Sequence, residues 1–127
     1  MSSILAVDIG TTSAKALVIT SSGSVSVSER IAYPTHRPRT GYAEQDPDQL
    51  AASITSLMRD AIRKANGKID AVVFSSAMHS VMAVDEQGRA LTPLIIWADL
   101  RAQEVSAQIN KEHKDLHAMT GTPVHPM

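Results

Sequence analysis

ILAVDIGTTSAKALVI, residues 4–19, is the stretch that decides the fold. It reads as a short apolar strand, a tight turn at residues 10–12, and a second strand, rich in β-branched residues, at residues 14–20. One carboxylate, Asp8, stands near the end of the first apolar run, and Lys15 follows the turn. The pattern therefore predicts a β-hairpin with charged groups beside its turn.

The turn has the composition of a phosphate-binding site. Gly10 lets an anion approach the backbone because it has no Cβ, and successive N–H groups of a tight turn form a concave anion site. Thr11 and Thr12 add hydroxyl donors, and Lys15 adds a charge for phosphate oxygens. Asp8 could hold Mg²⁺, usually through water. The alternative is an ordinary hairpin, since neither a P-loop nor a GxGxxG motif is present.

Composition excludes several classes of protein. With 127 residues, 43% of them hydrophobic and 20% charged, the chain is long and apolar enough for a buried core. Its net charge of −1 gives no basic surplus for nucleic acid, and the absence of cysteine excludes disulfides and thiolate chemistry. No apolar run approaches the ~18 residues that span a bilayer. We expect a cytoplasmic protein with no nucleic-acid or membrane partner.

The following segments predict an α/β fold. A third strand to about Ala32 completes a three-stranded antiparallel meander, and residues 33–45 are loop. Asp46 and Pro47 start an amphipathic helix, which Gly67 ends.

The second half alternates short strands with helix. The apolar run 69–75 predicts a strand buried on both faces. Two short strands at 81–84 and 94–97 follow, and a helix over about 99–112 carries Val105 and other apolar residues inward. Beyond it the pattern weakens to a helical turn and coil. Polar groups follow three strands of this α/β order, at Asp8, Ser75–Ser76 and residues 97–99, where ligands of open α/β sheets gather.

Five blocks resemble the FGGY carbohydrate kinases of the actin-like ATPase superfamily, and gluconokinases most. They occur in the family's order and cover nearly the whole chain. The blocks are DIGTTSAKALVI (8–19), GYAEQDP (41–47), SSAMHS (75–80), DEQGRALTPLIIWADLRA (85–102) and TGTPVHPM (120–127).

The resemblance implies an RNase H-like fold and a kinase that transfers the ATP γ-phosphate to a hydroxyl of gluconate, with ATP and Mg²⁺ as cofactors. It places Mg²⁺ at Asp8 and phosphate at Gly10, Thr11, Thr12 and Lys15. It also implies that residues 1–127 are the N-terminal part of the first kinase domain. The catalytic base, the adenosine site and the C-terminal domain would then lie downstream, and we expect the chain alone to be inactive and to self-associate through uncovered apolar surface.

The resemblance assigns the sugar or sugar-acid pocket to Met78, His79, Trp97 and Asp99, with Arg101 a weaker candidate. A neutral imidazole can donate to and accept from hydroxyls, and an indole offers an apolar face to a sugar ring. The alternatives are a structural loop histidine, a core tryptophan, a helix-capping aspartate and a solvated arginine.

Other functions compete with this assignment. A xylulokinase or another pentulose or polyol kinase shares the same blocks. A non-catalytic sugar or nucleotide sensor could keep the fold. A nuclease of the same general fold would need clustered carboxylates and usually a basic surface, and the neutral charge argues against it.

Overall fold

The computed structural model describes residues 2–66 and 69–126. The chain divides into two compact units, Met1–Pro34 with Asp46–Met78, and Thr35–Gln45 with His79–Met127, which are described separately. The elements in chain order are β1 (Ser3–Ile9), β2 (Ser13–Thr20), β3 (Val25–Ala32), β4 (Glu44–Gln45), α1 (Pro47–Ala65), β5 (Ala71–Ser76), β6 (Leu94–Ile95), α2 (Gln103–Glu112) and α3 (Leu116–Thr120).

The first unit contains the predicted antiparallel meander. Its sheet has the strand order β3-β2-β1-β5, in which β1 pairs antiparallel with β2 and parallel with β5. The α1 segment connects β3 to β5 and so allows β5 to run parallel to β1. Because parallel strands end at the same edge, the carboxyl ends of β1 and β5 lie together.

Helix α1 begins where the sequence predicts. The Asp46 carboxylate accepts hydrogen bonds from the backbone N–H groups of Asp48 and Gln49, and Pro47 occupies the first helical position. The helix ends at Ala65, followed by Asn66 in a left-handed conformation with φ of 45°. Gly67, the predicted end of the helix, lies outside the described residues.

The core of the first unit lies between α1 and one face of the meander. Alternate residues of β1 and β2 point to this face, which is the expected period of a strand covered on one side. Leu57 and Ala61 of α1 are its buried helical residues. The core residues are Leu5, Val7, Ala14, Ala16, Val18, Val27, Tyr33, Leu57 and Ala61.

The prediction that residues 69–75 form a strand buried on both faces is wrong. The strand β5 is two residues shorter at its start, and all six of its residues are exposed, with Phe74 60% exposed. β5 stands at the edge of the described sheet, and α1 packs on β1, β2 and β3. An apolar run therefore signals a strand here but not the burial of its two faces.

The second unit contains less regular structure than the sequence predicts. Strand β6 pairs antiparallel with β4, which lies inside the segment predicted to be loop. The predicted strand at 81–84 is absent; Val81 and Val84 instead form isolated bridges to Ile95 and Ala90. The intervening turn closes with a hydrogen bond from the Gly88 N–H to the Asp85 carbonyl, 2.9 Å.

Helix α2 begins later than predicted, at Gln103, and its N-cap is Ala102. Asp99 is therefore not its capping residue. The inward side also differs, because Val105 is 58% exposed whereas Ser106 is buried and donates its hydroxyl to the Gln103 carbonyl. The predicted helical turn and coil follow as α3 and residues 121–126. No helix of the described chain is long and apolar enough to cross a membrane.

Candidate phosphate site and sugar-side loop

The turn between β1 and β2 has the tight geometry that an anion site needs. The Gly10 N–H donates to the Ser13 carbonyl at 3.0 Å and closes the turn. A Cβ on Gly10 would lie 3.1 Å from that same carbonyl oxygen, tighter than most real contacts, so glycine fits best here. Thr11 and Thr12 form the tip. The backbone of this turn is thus compact and close to solvent.

Three polar residues share one register row beside the turn. Asp8 pairs with Lys15 across the antiparallel ladder and with Ser75 across the parallel one. All three are exposed and line a cavity of about 170 Å³ whose other walls are mostly apolar. The sheet therefore brings together the carboxylate, the ammonium group and a hydroxyl that the sequence separates by 67 positions, from Asp8 to Ser75.

The charged groups of this row are available to a ligand. Within residues 2–66 and 69–126, neither the Asp8 carboxylate nor the Lys15 ammonium group has an ion-pair or side-chain hydrogen-bond partner. Free opposite charges in one row suit a ligand that carries both a metal ion and an anion.

The donor set fits Mg²⁺ bound with its water shell. Among the described residues, no group of three or more metal-ligating side chains exists. Mg²⁺ usually takes one or two carboxylates and completes its shell with water and substrate phosphates, so a single exposed Asp8 suffices.

Tyr33 lies under the turn, although no sequence motif marks it as part of the site. Its ring is part of the core at 8% exposure, and its hydroxyl donates to the Gly10 carbonyl. Its backbone N–H donates to the Thr12 carbonyl at 3.2 Å. Burial raises the pKa of the Tyr33 phenol, and the nearby charge of Asp8 raises it further, so the phenol stays a donor at neutral pH.

In the second unit, the structure brings the segments of His79 and Trp97 together. Val81 and Ile95 exchange two backbone hydrogen bonds of 2.9 Å each in an antiparallel bridge. His79 precedes this bridge by two residues and Trp97 follows it by two, so both stand just beyond the same end of the bridge. Trp97 is 48% exposed, which favours a surface role over core filling.

His79 has an unusual backbone conformation. Its φ is 60°, in the left-handed region that non-glycine residues rarely adopt. Such residues cluster at binding and catalytic sites because the surrounding structure must hold them there. Met78, which belongs to the first unit, is 72% exposed.

Asp99 and Arg101 are partners of each other. The Arg101 guanidinium donates Nε–H to one Asp99 oxygen and a terminal N–H to the other, both at 2.8 Å. Asp99 is completely buried and also accepts the backbone N–H of Ala43 at 2.6 Å and that of Arg101 at 2.9 Å. Arg101 further donates to Glu44 at 2.6 Å and lies 4.1 Å from the centre of the Tyr42 ring.

This geometry fixes the ionisation of the pair. Hydrogen bonds from the Arg101 side chain lower the pKa of Asp99 to about 2, against the opposing effect of burial, and the N–H of Ala43 contributes. Hydrogen bonds to Asp99 in turn raise the pKa of Arg101. The pair joins residues 42–44 to residues 99–101. Its carboxylate and guanidinium are already satisfied, so the arrangement supports a structural role.

The chain is similar in sequence to known carbohydrate kinases. Residues 3–127 match the N-terminal domain of the FGGY family of carbohydrate kinases. The gluconokinase of Bacillus subtilis (strain 168) is 41% identical over 127 residues, which cover 98% of this chain and 25% of that protein. The xylulose kinase of Staphylococcus xylosus is 32% identical over 112 residues, which cover 87% of this chain and 23% of that protein.

Solved structures agree in fold. The crystal structure of gluconate kinase from Lactobacillus acidophilus superposes with a TM-score of 0.93 at 30% identity, over 98% of this chain and 26% of that one. The ligand-bound xylulose kinase from the same organism gives 0.94 at 30% identity, over 99% and 26%. The predicted actin-like ATPase, RNase H-like fold is confirmed. The chain spans about a quarter of the length of these relatives, and it belongs to the FGGY family of carbohydrate kinases, whose N-terminal domain it matches.

Proposed function

We propose that this chain forms the phosphate-binding and sugar-side part of an ATP-dependent kinase that transfers the γ-phosphate to a hydroxyl of gluconate. The observation that carries the proposal is the row of Asp8, Lys15 and Ser75 beside the Gly10 turn, in a chain of the FGGY family. The likeness to the Bacillus subtilis gluconokinase supports gluconate as the acceptor.

The residues of the first unit would act by position and charge. Phosphoryl transfer needs little covalent participation by the protein and depends on holding the phosphates and neutralising their charge. Lys15 supplies a positive charge, Gly10 leaves room for the phosphate beside the backbone, and the turn at Thr11 and Thr12 supplies backbone and hydroxyl donors. Asp8 would hold Mg²⁺, which when bound neutralises phosphate charge. Each of these roles uses a group on the solvent-facing side of the hairpin.

The sugar-side assignments concern the loop after β5 and the segment after β6. We propose that His79 exchanges hydrogen bonds with sugar hydroxyls and that Trp97 offers apolar surface to the carbon chain. Contact of Met78, in the first unit, with the sugar stays a prediction. For Asp99 and Arg101, whose charged groups satisfy each other, we propose action through the pair, which fixes the segment after Trp97. Direct contact of these two residues with the sugar stays a prediction.

The proton acceptor of the reaction is assigned to no residue of this chain. The chain spans about a quarter of its relatives, and we propose that it is the N-terminal part of the first kinase domain. The chain alone is then expected to bind ligands weakly and to transfer no phosphate. A small sugar or sugar acid as the partner and a cytoplasmic location belong to the same proposal.

A pentulose kinase is the second candidate. The xylulose kinase from Staphylococcus xylosus, at 32% identity, and that from Lactobacillus acidophilus, which shares the fold at 30% identity, support it. A sugar or nucleotide sensor without catalysis is a further candidate, which the same binding residues would serve.

The proposal is tested by amide NMR titration of the chain itself. Mg-ATP is expected to shift the signals of residues 8–15, and chelation of Mg²⁺ is expected to weaken that binding. Gluconate is expected to shift the His79 amide and the Trp97 indole signal more than xylulose or glycerol does. As a control, Lys64→Ala is expected to bind Mg-ATP like the unaltered chain, because Lys64 pairs with Glu29 away from the turn.

Two results would contradict the proposal separately. If Mg-ATP at ~10 mM, enough to reveal even millimolar affinity, leaves residues 8–15 unchanged, the phosphate site is wrong. If xylulose shifts the sugar-side signals and gluconate does not, the family assignment holds and the substrate assignment fails.

A further inference from the structure

We propose that Tyr33 is a positioning residue, which holds the Gly10–Thr12 turn in the conformation that directs the N–H groups after Gly10 and after Thr12 towards phosphate. The inference rests on the proposed phosphate-binding function of that turn. It concerns a residue outside the turn, more than 20 positions along the chain.

Tyr33 contacts both ends of the turn with two different groups. Its phenol donates to the carbonyl of Gly10, the first turn residue, and its backbone N–H donates to the carbonyl of Thr12, the last one, at 3.2 Å. The ring itself is fixed in the core, at 8% exposure. The two donors are therefore attached to a residue packed in the core of the first unit, and they anchor the turn to that core.

Peptide geometry links these two carbonyls to the anion site. The peptide bond is planar and trans, so each carbonyl points opposite to the N–H of the next residue. With the Gly10 carbonyl directed to the phenol, the Thr11 N–H is directed away from Tyr33. The same holds for the Thr12 carbonyl and the Ser13 N–H. Anchoring the carbonyls from beneath thus orients the N–H groups of the turn.

A further contact of the turn comes from the hairpin itself. The Gly10 N–H donates to the Ser13 carbonyl and closes the loop, and the Tyr33 phenol holds Gly10 from its other side, at the carbonyl. Glycine at the first position has more conformational freedom than any other residue. A second anchor is most useful where the backbone is least restricted.

The test removes the hydroxyl and keeps the ring. In Tyr33→Phe, amide hydrogen exchange at Gly10 and Thr11 should rise about tenfold relative to Ala16 and Val18 in the sheet. The dissociation constant for Mg-ATP should rise about three- to tenfold, which is the effect of one lost hydrogen bond. Replacement of Tyr33 by 4-aminophenylalanine restores a donor at the same place and should recover most of both changes.

Two control variants separate positioning from loss of stability. Val27→Ala weakens the same core without touching the turn and should leave the exchange ratio and the affinity unchanged. Tyr42→Phe, in the second unit, removes a hydroxyl from the other tyrosine and should also leave them unchanged. If Tyr33→Phe does not fold, the comparison of 4-aminophenylalanine with 3-fluorotyrosine at the same position gives both readouts in a folded chain.

The outcomes are distinct. An unchanged exchange ratio and affinity in Tyr33→Phe, or equal changes in Val27→Ala, would overturn the role of Tyr33. If the wild-type chain binds no Mg-ATP, the proposed function fails, and the exchange ratio alone still decides whether Tyr33 fixes the turn.

Discussion

The Asp8 carboxylate and the Lys15 ammonium group occupy the same cross-strand pair of the β1–β2 hairpin, one on each side of the turn, and neither has an ion-pair partner in the described part of the chain. Opposite charges in one cross-strand position usually stabilise a sheet by a small amount. Here both groups are exposed and line a cavity, so we interpret their placement as a binding arrangement.

Lys15→Ala should weaken Mg-ATP binding about tenfold and leave the free energy of unfolding within about 0.5 kcal/mol, because the lysine is exposed and its loss removes a phosphate contact only. Calorimetric titration and urea unfolding measure the two quantities. The control is Lys64→Ala, which removes an ion pair with Glu29 instead. Equal affinities for Mg-ATP in the two variants would contradict the assignment.

Arg101→Ala should destabilise the second unit strongly, by ~3 kcal/mol or more, because it leaves the buried Asp99 carboxylate without its charged partner. Urea unfolding measures the change. Arg89→Ala is the matched control. Arg89 also pairs with a nearby aspartate, Asp85, but its side chain is 76% exposed, and its loss should cost under about 1 kcal/mol. Similar losses in both variants would show that burial of Asp99 does not matter.

The pairing of Asp99 with Arg101 predicts that the free energy of unfolding depends on pH. The folded pKa of Asp99, about 2, lies below its usual value of 3.8, so the unfolded chain binds this proton more readily than the folded one. Its stabilisation, about 2 kcal/mol, is complete above pH ~4 and is lost as the pH falls towards 2. We expect the stability difference between wild type and Asp99→Asn to shrink over that interval. A difference that stays constant from pH 5 to ~2 would contradict the depressed pKa.

The sequence predicts what depends on local pattern. The hairpin, the third strand and the start of α1 follow from alternating apolar residues and from Asp46 and Pro47, and the structure confirms them. It predicts less well what depends on neighbours. The apolar strand β5 was expected to be buried, and its exposure follows from its place at the sheet edge, which no local pattern reports.

In the candidate site, too, the sequence predicts the local features and not those that depend on distant residues. Gly10 and Lys15 stand out in the sequence because the chemistry of a tight turn is local. Arg101 donates both to Asp99 and to Glu44 of β4, more than 50 positions away, so the sequence left a sugar contact, a helix cap and a solvated arginine open. Tyr33 gives no more signal than an aromatic residue just after a predicted strand. Its role is visible only once its hydroxyl is placed beneath Gly10.

We predict that the chain self-associates through the exposed edge strand β5. Val73→Lys places a charge on an exposed position of this edge strand and should reduce association in sedimentation at high concentration, since edge charges oppose pairing between chains. Ile62→Lys, on the exposed side of α1, is the control and should have little effect. A wild-type chain that sediments as a monomer at all concentrations would contradict the prediction.

His79→Ala should weaken gluconate binding about tenfold without unfolding the chain, because it removes hydrogen bonds to sugar hydroxyls and keeps a Cβ at the left-handed position. NMR titration measures the affinity and circular dichroism the fold. His36→Ala, an exposed histidine of the same unit, is the control and should bind gluconate like the wild type. A loss of fold in His79→Ala would favour a structural histidine, and a folded variant with unchanged affinity would contradict the sugar contact.

We propose above all that this chain supplies the phosphate and sugar contacts of a gluconate kinase, a proposal on which the other predictions depend. Its most direct test is the rate of ATP-dependent gluconate phosphorylation by a chimera, in which residues 2–126 replace the matching quarter of the Bacillus subtilis gluconokinase. We predict that the chimera phosphorylates gluconate in preference to xylulose, that Lys15→Ala lowers its kcat/KM at least about tenfold, and that the chain alone transfers no phosphate. A folded chimera that ignores gluconate, one that is indifferent to Lys15→Ala, or phosphorylation by the chain alone would contradict the account.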